Sequence, residues 1–179
     1  MKNTKSREIA AAGILAAVMF VLSYLDSFLS AGLPPGMRFG LANTAVFIAL
    51  VILSERDALL LTLAKCLFVF ITRGAVAAAM SLSGSIPAVI IMIILFRKTS
   101  ASFVFICAAA AVLHAAGQII CAACLTESVY TLYFTPILLV SSVITGTVTG
   151  IISSKVITII PKIEKEKLSY GSRKSHSQS

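Results

Sequence analysis

Residues 9–29 read IAAAGILAAVMFVLSYLDSFL, an apolar run interrupted by one charge, Asp26. A bilayer core about 30 Å thick is crossed by roughly 20 apolar residues in a helix. The helix is required because lipid offers backbone N–H and C=O groups no partners. Lys2, Lys5 and Arg7 stand before the run, as they would before a secretory signal or before a first membrane helix. The length of the run, and the apolar segments that follow it directly, favour a retained transmembrane helix.

The pattern then recurs along the chain. Gly32, Pro34, Pro35 and Gly36 break it, and a second segment runs over Phe39–Leu53. That segment is short for a span, so part of the Pro-Gly stretch is expected to dip into the membrane. A polar turn, Ser54-Glu55-Arg56-Asp57, leads to a third segment, Ala58–Ile71, with Arg73 and Gly74 at its far end. The small residues 75–80 read as a bent connection. The fourth segment is Ser81–Phe96, with a kink expected at Pro87 and with Arg97 and Lys98 closing it. The fifth is Ser102–Leu125, and Glu127 lies in the loop after it. The apolar stretch Tyr130–Ile160 exceeds one span, so Pro136 marks the start of the sixth. From Pro161 the tail is rich in Lys, Glu and Ser and is expected to be disordered. The fold class expected is an all-α integral membrane protein of about six transmembrane helices in one compact bundle. Residues 1–160 form the transmembrane domain and residues 161–179 a basic, polar cytoplasmic tail.

Composition agrees: 58% of the residues are hydrophobic and 12% charged, against about 25% charged in a soluble domain. The formal charge of +8 raises the question of nucleic acid. The basic residues, however, sit at the ends and in short loops and are not interleaved with aromatics. Lys2, Lys5, Arg7, Arg56, Arg97, Lys98, Lys155, Lys162, Lys165 and Lys167 fall on one side of a six-helix layout, Arg38 and Arg73 on the other. By the positive-inside rule the first side is cytoplasmic, so both termini are expected there, in a multi-pass plasma-membrane protein. Cys66, Cys107, Cys121 and Cys124 form no secreted disulfide framework. Cys121 and Cys124 make a C-x-x-C, a spacing found in redox and metal sites and equally among small apolar residues on one helix face.

Polar groups at membrane depth carry the functional information. A cation at a helix centre costs roughly 2.5–3.5 kcal/mol on insertion scales, so it normally faces a cavity or a partner. Lys65 lies about 12 Å into the third segment at 1.5 Å per residue, near mid-membrane. Arg73 is two turns further out. His114 and Gln118 stand one turn apart on the fifth segment and share a face. Asn43, Asp26 and Arg38 also belong to the outer half. Their common side points to an outward-facing pocket holding more cations than anions: Arg38, Arg73 and Lys65 against Asp26 and Glu127. Such a pocket suits an anionic or amphipathic small molecule. Structural roles stay open for each: snorkelling for Arg38 and Arg73, an internal ion pair of Lys65 with Asp26, interhelical hydrogen bonds for His114, Gln118 and Asn43.

Small residues form a second pattern. Ala12 and Ala16 make an A-x-x-x-A beside Gly13 and Ala17, and Gly146 and Gly150 make a G-x-x-x-G. Both spacings let helices approach closely, within the chain or against another subunit.

Several stretches together resemble one family. They are Pro35-Gly36-Met37-Arg38-Phe39-Gly40-Leu41-Ala42-Asn43, Arg56-Asp57-Ala58-Leu59, Ser81-Leu82-Ser83-Gly84-Ser85, His114-Ala115-Ala116-Gly117-Gln118, and Thr135-Pro136 with Thr145-Gly146 and Thr149-Gly150. The chain resembles the Gx transporter family, labelled heptaprenyl diphosphate synthase component I, over roughly residues 8–160. That family is similar to the substrate-binding S components of energy-coupling factor transporters. The resemblance implies a six-helix protein that captures a vitamin-like small molecule from outside and docks on a shared transmembrane subunit with two ATPases. It also implies that Ala12 and Ala16 contact that subunit. One departure is Ala115, where the family pattern has an Asn after the histidine.

The synthase label is testable on chemistry. Prenyl synthases hold magnesium with aspartate-rich D-D-x-x-D motifs, and this chain has two aspartates far apart, Asp26 and Asp57. It also lacks a G-x-x-x-x-G-K-[ST] phosphate loop, so an ATPase would be another chain. No metal cluster, cofactor motif or nucleophile–base pair is visible, so no enzyme activity is expected. The leading expectation is a substrate-binding subunit of a small-molecule transporter. The alternative is a non-catalytic membrane partner of an isoprenoid, quinone or flavin-linked redox system.

Overall fold

The computed structural model describes residues 2–30, 40–127, 133 and 135–176, with side chains described at residue 6 and, within those ranges, from residue 9 to residue 159. Six helices follow one another: α1 (Lys2–Leu29), α2 (Ala42–Ile52), α3 (Glu55–Arg73), α4 (Ala75–Lys98), α5 (Phe103–Thr126) and α6 (Thr135–His176). No strand occurs among the described residues.

Helix boundaries have local causes. Ser54 caps α3: its Oγ accepts from Asp57 N–H at 3.2 Å and donates to Asp57 Oδ2 at 2.6 Å. This satisfies one of the free amides of the first turn and seats an acidic residue at the positive end of the helix. Ser102 caps α5 in the same way, its Oγ accepting from Phe105 N–H at 3.2 Å. Gly74, at φ +84°, is at once the last cap of α3 and the first of α4. Its N–H bonds to Phe70 O and its carbonyl accepts from Ala78 N–H. A side chain strains this conformation, which lets the chain reverse with a single residue. Residues 75–80 are therefore the first turns of α4, not a bent connection; their alanines are strong helix formers. Pro136 sits in the first turn of α6, where its missing N–H is harmless. The backbone of α6 runs on through Pro161 to His176, along most of the tail that begins there.

Four helical stretches are long and apolar enough to cross a membrane: Ile9–Leu29, Ala75–Lys98, Phe103–Thr126 and Thr135–Ile159. α2 has 11 residues, about 17 Å of helix. α3 carries Glu55, Arg56, Asp57, Lys65 and Arg73. The protein is thus a membrane protein whose described residues form six helices, four of which qualify as spans by length and composition.

Each helix packs on the next, and α2 also contacts α4 and α6, which places it at the centre. It is buried on every side from Thr44 to Leu50, as expected of a helix apolar all round. The core gathers Met19, Phe47, Leu50, Leu61, Val89, Met92 and Ile106, with Phe47 edge-on to Phe103 at 5.5 Å between centroids. The outer surface is apolar too, with Ile14, Val21, Phe28, Leu60, Ile71, Ile120 and Val140 exposed. Lipid, unlike water, gives no reason to hide such groups.

Close backbone contacts hold the second half together. A Cβ on Gly117 would lie 2.2 Å from Ser83 O, and one on Gly84 2.7 Å from His114 O. A Cβ on Gly146 would lie 2.7 Å from Ala108 Cα, and one on Gly150 2.6 Å from Val104 Cα. The G-x-x-x-G of α6 is therefore spent on packing against α5 inside the chain.

Candidate functional site

The antiparallel order puts the end of α1, the start of α2, the end of α3 and the start of α4 at one end of the bundle, here the Asp26 end. The Ser54 turn lies at the other. Inside an apolar shell, Ser23, Asp26, Lys65, Ser81, Ser85, His114, Gln118 and Ser142 are buried. By helix order they occupy the middle and the Asp26 end.

Two groups are seen. In the first, Lys65 Nζ on α3 donates to Asn43 Oδ1 on α2 at 2.8 Å. Asp26 Oδ2 on α1 accepts from Gly40 N–H at 3.2 Å, fixing the entry to α2. Arg73 lies within electrostatic reach of Asp26. Its Nη2 is buried with no hydrogen-bond partner among the described residues. Lys65 is 4% exposed and Asp26 6%, so the dominant force among these groups is poorly screened electrostatics.

The second group lies between α4 and α5. His114 and Gln118 share the α5 face that Gly84 and Ser83 press against. Gln118 is 1% exposed. Its Nε2 and the Oγ of Ser85 are buried without a hydrogen-bond partner among the described residues. Ser81 Oγ stands 3.7 Å from Cys66 Sγ, linking α4 to α3 beside Lys65. Ser81 and Ser85 belong to this buried polar layer; in the sequence they stand only within the family-like stretch and not among the candidate binding residues. Their spacing of one helical turn was the available signal.

Buried hydroxyls elsewhere are mostly satisfied locally: Thr62 donates to Ala58 O at 2.8 Å and Thr149 to Gly146 O at 3.0 Å. Ser153, towards the other end, is fully buried beside the Cys107 thiol. Near the Asp26 end the Gln118 amide nitrogen, an Arg73 guanidinium nitrogen and the Ser30 and Ser85 hydroxyls find no partner among the described residues, which costs roughly 1–3 kcal/mol each unless something else bonds them.

Of the residues expected to bind substrate, Asn43 and Lys65 are brought into contact, and His114 and Gln118 into one buried face. Arg73 joins Asp26. Arg38 lies outside the described residues. Glu127 is exposed at the left-handed C-terminal cap of α5, φ +48°, and is not drawn into either group. Ala12 and Ala16 are half-buried, and Ala16 packs on the core. Gly13 and Ala17 face outward beside them, with open space around Gly13. Cys121 is half-buried and Cys124 exposed, both as free thiols.

Among the described residues no three His, Cys, Asp or Glu side chains gather as metal ligands. Asp57 opens α3 while Asp26 lies near its other end, about 24 Å of helix away. One magnesium ion cannot bridge that distance.

A family model described as heptaprenyl diphosphate synthase component I matches residues 15–156. No curated protein and no solved structure gives a significant match.

Proposed function

We propose a function from one premise: this chain is a membrane protein that belongs to the heptaprenyl diphosphate synthase component I family. On this reading it is the substrate-binding, S-component-like subunit of a small-molecule transporter in the plasma membrane. All six helices then lie in the membrane, with both termini in the cytoplasm and the Asp26 end facing out. The observation that carries the reading is the buried polar layer near that end, where Arg73, Ser85 and Gln118 hold atoms with no hydrogen-bond partner among the described residues, inside an apolar shell. Arg38, Asn43, Lys65, Arg73, His114 and Gln118 would contact an anionic or amphipathic ligand, Lys65 and Arg73 supplying charge and His114 and Gln118 hydrogen bonds. Ala12 and Ala16 would dock on a shared transmembrane subunit that works with ATPases.

The test is native mass spectrometry of the protein from mild detergent, beside an R38A/R73A variant. A small-molecule adduct on the wild type that the variant loses supports the reading and gives the ligand mass. No adduct, and no binding across vitamins, flavins and isoprenoid phosphates, counts against it.

The family description favours a second reading, a non-catalytic membrane partner of an isoprenoid or redox system. The separation of Asp26 from Asp57 speaks against prenyl transfer by this chain itself. Replacing Cys121 and Cys124 by Ser distinguishes the readings: lost redox function with retained ligand binding favours the second.

A further inference from the structure

At the Ser54 end, away from the buried polar layer, a recess of about 570 Å³ opens between the α2–α3 turn and the end of α4, lined by Leu50, Ser54, Glu55, Arg56, Phe96 and Arg97. Its size is that of a small-ligand site. Its floor is apolar, through Leu50 and Phe96, and its rim is cationic. Arg56 is exposed, and among the described residues it takes part in no ion pair. Arg97 is bonded to Glu55 through Nε alone, so both terminal guanidinium nitrogens remain outside that bond, and its side chain is still 67% exposed. The one acid that lines the recess, Glu55, is already paired by Arg97; Asp57 is not among its lining residues and accepts from Ser54. What faces the recess is therefore two guanidiniums and the Glu55 carboxylate that one of them already pairs, over an apolar floor, at the level where α2 and α4 end.

We propose that this recess binds a phosphate group, Arg56 and the terminal nitrogens of Arg97 gripping its oxygens while Leu50 and Phe96 take the apolar portion of the carrier. Guanidinium pairs suit phosphate because their planar donors match two oxygens at once. The phosphate comes from an anionic phospholipid of the adjacent leaflet or from a soluble phosphate, and the experiment separates the two. The inference does not depend on what the opposite end binds.

Full-length protein in detergent is incubated with phosphatidylglycerol, with phosphatidylcholine or with inorganic phosphate, and bound species are counted by native mass spectrometry. The variants are R56Q, which leaves the Glu55–Arg97 pair intact, and R56Q/R97Q. Retention of phosphatidylglycerol over phosphatidylcholine, cut about tenfold in R56Q and further in the double variant, supports a lipid site. Retention of inorganic phosphate with the same loss supports a soluble phosphate. Binding of neither, or equal binding by wild type and R56Q, overturns the proposal. A helical circular dichroism spectrum and melting midpoint of R56Q like the wild type's show that any loss is not unfolding.

Discussion

Lys65 on α3 donates a 2.8 Å hydrogen bond to Asn43 on α2, tying a mid-helix ammonium to an amide inside the bundle. Burial of Lys65 to 4% exposure makes this bond expensive to lose. Asn43→Leu is expected to destabilise the protein by about 1–3 kcal/mol by removing the acceptor. Asn43→Asp keeps an acceptor and turns the bond, already charge-assisted by the ammonium, into an ion pair, so stability is retained at neutral pH. The added negative charge should weaken an anionic ligand. Melting midpoints followed by circular dichroism, with adduct counting by native mass spectrometry, check both effects.

Gln118 offers a prediction of opposite sign. Its Nε2 is buried without a partner among the described residues. Gln118→Leu is therefore expected to leave ligand-free protein as stable or about 1 kcal/mol more stable, while abolishing ligand retention. Equal ligand retention by variant and wild type would remove Gln118 from the site.

Gly117 and Gly13 form a matched pair. A Cβ on Gly117 would meet Ser83 O at 2.2 Å, whereas nothing lies within 4 Å of one on Gly13. Gly117→Ala must push α4 from α5 and is expected to cost about 1–3 kcal/mol, or more if the helices cannot shift. Gly13→Ala should be neutral or slightly stabilising, since alanine is the better helix former. Unfolding midpoints in one detergent decide the comparison.

Thiol labelling tests the orientation. Cys124 is exposed near the end of α5, and Cys66 and Cys107 are buried. In intact cells a membrane-impermeant maleimide is expected to label the protein, and Cys124→Ser should abolish most of that labelling. Labelling that requires broken cells would invert the arrangement proposed for the Asp26 end.

The helical class, Pro136 in the first turn of α6 and the polar turn before α3 were legible because each depends on local chemistry. Ser54 finds its acceptor role three residues away at Asp57 N–H, whatever the rest of the chain does. Residues 75–80 misled because a string of small side chains carries little periodicity. Gly74 with φ +84° is what permits the immediate reversal into α4. The shared face of His114 and Gln118 was readable from a one-turn spacing. The pairing of Lys65 with Asn43 was not, because 22 residues separate them.

The sequence by itself determined that this is a helical membrane protein with polar groups embedded in apolar runs. Hydropathy and helical spacing are properties of neighbouring residues, and lipid forces the backbone to satisfy itself locally. The tertiary structure decided what those groups meet. It set Lys65 on Asn43, placed α2 at the centre, spent the G-x-x-x-G of α6 on α5, and left Gln118 Nε2 without a partner among the described residues. These outcomes depend on which helix faces lie together, and close approach at Gly84, Gly117, Gly146 and Gly150 fixes that choice across long stretches of chain.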